Sequence, residues 1–254
     1  MMRKRVLART PVLFVFAGLA LMPTQISADD KPTTTKQQAK HFEKEITVQV
    51  KLDYLLYLPP NYDKEEKSWP LVLFLHGAGE SGQDLSKVKV HGPPKLVEAG
   101  KEFPFIVVSP QAPRMGWDVQ TLNALLDDVV ANYNVDKDRI YVTGLSMGGF
   151  GTWALAAAYP DRFAALAPIC GGGNAADAKK LKNLPIWVFH GAKDNVVPPS
   201  RSENMVQALK EAGATHVKFT LYPNANHDSW TETYNNPEMW DWLLQQKRGE
   251  AKKD

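Results

Sequence analysis

Apolar residues fall along this chain in two rhythms, and their alternation is what the sequence first predicts. Short runs with little polar interruption occur at Pro70–Leu75, Phe105–Val108, Arg139–Val142, Phe163–Ile169 and Ile186–Phe189. Runs this short read as strands of a sheet covered on both faces. Val217–Tyr222 alternates at Val217, Phe219 and Leu221, as a half-covered strand would. Between them the period lengthens. Leu122, Leu125, Leu126, Val129, Val130 and Tyr133 lie on one helical face behind Asp118, a good N-cap. Trp153–Ala158, Ser202–Ala212 (closed by Gly213) and 236–247 (Met239, Trp240, Trp242, Leu243, Leu244) predict further helices. Ile46–Leu58 predicts one or two edge strands ending at Pro59-Pro60. Residues 83–103 predict a short helical piece, ending at Gly100, with a break at Gly92-Pro93-Pro94.

Strand and helix alternate from residue 70 onward. That order predicts an α/β fold: a doubly wound, mostly parallel sheet with helices on both faces. No repeat or linker divides residues 45–250, which read as one domain.

The first residues change the picture. Arg3, Lys4, Arg5 and Arg9 precede an apolar stretch, Pro11–Met22, and Ile26-Ser27-Ala28 offers a small-residue cleavage site. Residues 1–28 are therefore expected to be a signal peptide, the twelve residues of the stretch being too few to span a bilayer. Residues 29–44 have no apolar period and predict a flexible mature N-terminus. The expected location is secreted or periplasmic, with no membrane attachment after signal removal. Loss of residues 1–28 converts the net charge from +2 to −2, which gives no basis for nucleic-acid binding. The single cysteine, Cys170, follows an apolar run and reads as a buried structural thiol.

Chemistry enters at Gly144-Leu145-Ser146-Met147-Gly148, between a predicted strand and a predicted helix. In that context Gly-x-Ser-x-Gly is a nucleophile elbow, although taken alone it would also fit a turn without chemistry. Side chains at 144 or 148 would collide with the neighbouring strand and helix. The N–H of Met147 would be left free at the helix N-terminus, where a developing oxyanion is favoured. Functional groups of such a sheet gather at the carboxyl ends of its strands. Asp194 follows the Ile186–Phe189 strand and His227 follows Val217–Tyr222, so the chain order is Ser, Asp, His. His227 would be the base that takes the Ser146 proton, and Asp194 the carboxylate that fixes its tautomer. His190 is expected to pack beneath the Asp194 loop, His216 to lie at the wrong edge, and His76 to be structural. His76-Gly77-Ala78-Gly79 ends an inner strand, where the N–H of Ala78 would complete an oxyanion hole with that of Met147.

Pro70–Gly79, Gly144–Trp153, Asp194–Pro198 and His227 together resemble an α/β-hydrolase of the esterase kind. Gly144–Trp153 with His76–Glu80 is similar to feruloyl and acetyl-xylan esterases, polyhydroxybutyrate depolymerases and dienelactone hydrolases. It also resembles the phospholipase/carboxylesterase and "predicted peptidase" group. The resemblance covers about residues 45–247. It implies Ser146, Asp194 and His227 as the triad, Ala78 and Met147 as oxyanion donors, and no metal or organic cofactor.

Only 171–184 separate Gly171 from Pro185, too short a stretch for a large cap domain, so an open site reached by bulky esters is expected. Trp117 and Trp230 fall in loops at the active edge, where they could stack on substrate or simply pack the loops. The expected partner is a small-molecule or polymeric ester, with acyl groups on polysaccharide as one candidate. A serine peptidase of the same fold and a non-catalytic binding module are the alternatives.

Overall fold

The computed structural model describes residues 39–45, 47 and 49–249. Two compact units divide the chain, Met1–Thr47 and Val48–Asp254. The described residues of the first are exposed and form neither helix nor strand. The expected signal peptide, and residues 29–38 of the expected N-terminal segment, lie outside the described residues.

The second unit is built on seven strands: β1 (Tyr54–Tyr57), β2 (Trp69–Leu75), β3 (Ile106–Pro110), β4 (Val135–Leu145), β5 (Ala165–Ile169), β6 (Ile186–Gly191) and β7 (Val217–Tyr222). Their order in the sheet is β1-β3-β2-β4-β5-β6-β7. Only β1 runs antiparallel, and it caps the edge beside β3. All the other pairs are parallel. Every residue of β2 is buried, which is why that strand shows no alternation in sequence.

Side chains alternate across the sheet and divide the core in two. Leu71, Leu73 and Leu75 join Leu122, Leu126, Trp153 and Met205 on one face. Those partners come from α2 (Val119–Asn132), α3 (Met147–Ala158) and α5 (Ser200–Glu211). Val72 and Phe74 join Phe105, Tyr234 and Trp240 on the other, with α1 (Gly92–Glu98), α6 (Ser229–Asn235) and α7 (Pro237–Leu244). Helices on both faces, with strand and helix alternating, make the doubly wound arrangement expected from the sequence.

Two expectations need correction. The Gly92-Pro93-Pro94 break is the start of α1, because proline is tolerated where a helix's first N–H groups have no acceptor. The closing helix expected over 236–247 is the shorter α7, and α6, which was not expected, stands just before it. Asn236 caps α7 through the N–H of Glu238, just before Pro237. In the region expected to give one or two edge strands, the described residues form one, Tyr54–Tyr57, while Ile46 and Val48 lie outside the described residues. Residues 171–184 hold one 3-10 turn and the four-residue α4 (Ala178–Leu181). No capping domain is inserted among the described residues, and none of their helices is long and apolar enough to cross a membrane.

Candidate active site

Ser146 stands between β4 and α3, with φ 52° and ψ −117°. A non-glycine residue pays a steric penalty there, so the surroundings must hold it. They do so through contact. A Cβ on Gly148 would lie 1.9 Å from the Leu75 carbonyl oxygen, and one on Gly144 would lie 2.4 Å from the Gly148 oxygen. The two glycines let α3 sit directly against the ends of β2 and β4. The backbone N–H of Ser146 donates to Ile169 O at 3.0 Å and lies 3.3 Å from Cys170 Sγ.

The hydroxyl of Ser146 faces His227. Its Oγ is 2.9 Å from His227 Nε2, and His227 Nδ1 is 2.7 Å from Asp194 Oδ2. The carboxylate can only accept, so Nδ1 carries the proton and Nε2 is left to take the one on Ser146. Asp194 is buried, and its Oδ1 accepts the N–H groups of Val196 and Val197, each at 2.9 Å. Burial pushes the Asp194 carboxyl up. The His227 hydrogen bond and the Val197 and Val196 N–H groups outweigh it and hold the group below the usual carboxylate range. The loops carrying Asp194 and His227 are joined by backbone. Lys193 N donates to Ala225 O at 3.0 Å, and a Cβ on Gly191 would lie 2.1 Å from Asn226 O.

Ala78 opens a 3-10 turn (Ala78–Glu80) and Met147 opens α3. As first residues, neither N–H has an acceptor inside its own helix. Gly77 packs on Leu145, where a Cβ would come within 2.8 Å of the leucine side chain, so the two turns lie side by side. His76 supports this arrangement from beneath. It is fully buried, its Nδ1 is 2.6 Å from Gly77 O, and its Nε2 accepts the Ala112 N–H at 3.0 Å. Burial lowers its basicity, against the Gly77 carbonyl and Glu80.

Residues 109–246, more than half of the chain, match the dienelactone hydrolase family. This chain belongs to that family. It is 28% identical over 191 residues to the bifunctional acetylxylan esterase/xylanase XynS20E of Neocallimastix patriciarum, covering 70% of this chain and 27% of that protein. It is 28% identical over 152 residues to probable feruloyl esterase C of Aspergillus terreus, covering 58% of this chain and 56% of that one. A crystal structure of a thermostable esterase matches with a TM-score of 0.67 and 35% identity, over 78% of this chain and 60% of its own. The chain thus spans less than two thirds of each of these relatives. The fold is that of the α/β-hydrolases.

In this dienelactone hydrolase family member, the remaining candidates fall into place around the triad. His190 is buried beneath the Asp194 loop, as expected. Cys170 is buried, and burial pushes its thiol up to about 12, which keeps it protonated and neutral. Cys170, Asp194 and His227 bring their ligand atoms within 4.8 Å of one another, yet the last two are bonded to each other and the thiol holds its proton. Trp230, expected in a loop, lies instead in the first turn of α6; it stands edge-on to the His227 ring, with centroids 5.2 Å apart, and also meets His91 at 5.3 Å. Trp117 packs against His76 at 4.7 Å, donates from Nε1 to His76 O at 3.3 Å, and helps line a cleft of about 650 Å³ with Leu52, Met115 and Thr121. Asp228, next to His227, caps α6 through the N–H of Thr231. Sequence reasoning missed the contacts that Gly191 and Gly171 make. The visible signal was a glycine closing β6 and another two residues past the end of β5, where other backbone comes close.

Proposed function

We propose that this chain is a serine hydrolase that cleaves carboxylic esters through an acyl-enzyme. The observation that carries the reading is the unbroken line from Ser146 Oγ to His227 Nε2 and from His227 Nδ1 to Asp194 Oδ2, at 2.9 and 2.7 Å. Ser146 attacks the ester carbonyl as His227 takes its proton, and Asp194 stabilises the imidazolium. The N–H groups of Ala78 and Met147 receive the oxyanion, and His227 returns the proton to the departing alcohol. Water then repeats the sequence on the acyl-enzyme and frees Ser146.

Acyl groups on plant polysaccharide are the proposed substrates, in a secreted or periplasmic setting that rests on residues 1–28. The names of the acetylxylan and feruloyl esterase relatives support the acyl chemistry. The shortness of 171–184 and the half-buried Ser146 support access by a bulky ester. Trp230, beside His227, is proposed as a wall for the substrate, and Trp117 as part of the adjoining cleft. Acetyl and feruloyl chromogenic esters, with an aminoacyl amide beside them, test this in the wild type and Ser146→Ala. The expected result is ester turnover that drops about 10⁶-fold in the variant. Preference for the amide makes the chain a peptidase, and no turnover with no fluorophosphonate labelling makes it a binding module.

A further inference from the structure

We propose that His190 is a positioning residue for the triad carboxylate, a second imidazole set against the same Asp194 oxygen that meets His227. The inference rests on the reading of Ser146, His227 and Asp194 as the reacting triad.

His190 is the penultimate residue of β6, and both its side chain and that of Asp194 are fully buried. Its Nε2 lies 2.9 Å from Val197 O and 3.2 Å from Asp194 Oδ2. Both neighbours can only accept, so Nε2 carries a proton, which it gives to Val197 O while standing close to the carboxylate. Its Nδ1 lies 2.7 Å from Ser202 Oγ, in the first turn of α5, and that oxygen is 3.0 Å from Gly171 O. Gly171 follows Cys170, whose Sγ lies 3.3 Å from the Ser146 N–H. The contacts therefore run from the nucleophile through His227, Asp194, His190 and Ser202, then back to the floor beneath the nucleophile. From Asp194 through His190 to Ser202 the links join buried side chains with no solvent to replace them, where hydrogen bonds are strong and an unmade one is costly.

Two consequences follow for the reaction. Asp194 receives three N–H groups, two from backbone on Oδ1 and one from His227 on Oδ2, and His190 Nε2 lies 3.2 Å from that same Oδ2. It cannot turn away from His227. The His190 donor also draws part of the carboxylate's charge away from His227, so it moderates how strongly Asp194 favours the imidazolium. Loss of that donor leaves more charge facing His227 and makes the imidazolium easier to form. The acid limb of the activity profile then moves to higher pH.

The other titratable groups around this cluster are the Cys170 thiol at the end of β5, Asp228 at the head of α6, and Lys193, bonded to Asn224. Across Trp230 stand His91 and Glu80. All of them are the same in the wild type and in the variants below, so the test reads a difference.

His190→Met and His190→Gln decide the matter, with the steady-state rate of a simple acetyl ester followed against pH. In the methionine variant kcat should fall about 10–100-fold, the size typical of lost outer partners in ordered sites, with KM nearly unchanged. Its acid limb should move to higher pH. Glutamine keeps an N–H donor near Asp194 and should restore most of the rate and the wild-type limb. A folded methionine variant with wild-type kcat and limb overturns the inference, as does glutamine that rescues nothing. Should the methionine variant not fold, Ser202→Ala gives the same reading by stripping the partner from Nδ1. It should lower kcat several-fold and move the limb the same way, and wild-type kinetics there would also overturn the inference. If the wild type itself turns over no ester, the proposed function fails instead.

Discussion

Ser146 and its two partners, His227 and Asp194, sit on the same rim, yet they are held by different forces. Ser146 is fixed by repulsion: Gly144, Gly148 and Gly149 bring backbone against backbone, where any side chain would stand 2.4 Å or less from a carbonyl oxygen. Asp194 and His227 are fixed by attraction, through hydrogen bonds to one buried carboxylate. Repulsion is blind to charge and falls off within a few tenths of an ångström. Attraction to a carboxylate depends on where the protons are. The serine should therefore hold its place over a wide range of pH while the imbalance of charge around His227 decides whether it reacts.

The sharpest way to break this comparison is Asp194→Asn. The amide keeps the shape but can present an N–H to Nδ1, which favours the tautomer that places a proton on Nε2. Ester turnover should fall about 10⁴-fold, as loss of the orienting carboxylate does in serine hydrolases. Ser146 should stay where it is, so fluorophosphonate labelling should slow while the folded spectrum matches the wild type. An Asp194→Asn variant that keeps within about tenfold of wild-type kcat would separate Asp194 from the reaction.

The opposite side is tested by Gly148→Ala. Its Cβ would stand 1.9 Å from Leu75 O, at the end of a strand fixed on both faces. Backbone cannot move there as a flexible side chain could. The unfolding free energy should fall by about 4 kcal/mol or more, in the range reserved for severe strain. Gly79→Ala is the matched control, since a Cβ there meets nothing within 4 Å. Its stability should stay within about 0.5 kcal/mol of wild type. Equal losses in both variants, measured by denaturant unfolding, would show that contact at the elbow is not what holds the serine.

The same contrast explains what can be read from sequence. The elbow is legible because its repulsions act among residues 144–148 and the strand ends beside them, so a five-residue pattern carries them. Asp194 and His227 are legible through a rule about strand ends. The contacts of Gly191 with Asn226, and of His190 with Ser202, join segments that only the closed sheet brings together. No local pattern holds them. Pro93 and Pro94 mislead because proline interrupts a helix within its body yet suits its first turn, and the sequence alone does not say which applies. α6 escapes notice for another reason, since its buried residues Ser229, Thr233 and Tyr234 carry no apolar period.

Acidification gives the mildest and most telling separation, because activity and stability should fail at different pH. His227 acts only when Nε2 is free, so turnover falls as the imidazole gains its second proton. That proton does not loosen the site, since it makes an imidazolium facing the ionised Asp194. The Asp194 carboxyl is held below the usual carboxylate range in the folded chain. A group lowered on folding contributes stability that is present above its unfolded value and is lost only as pH falls through the folded one. Between the loss of turnover and the loss of that contribution there should be a window of folded, inactive protein that regains full activity on neutralisation. Turnover and the denaturant midpoint, followed through the same series of buffers, measure both edges of the window. If the two fall together, the carboxylate is not held in its charged form by its neighbours, and attraction to it is not what fixes His227.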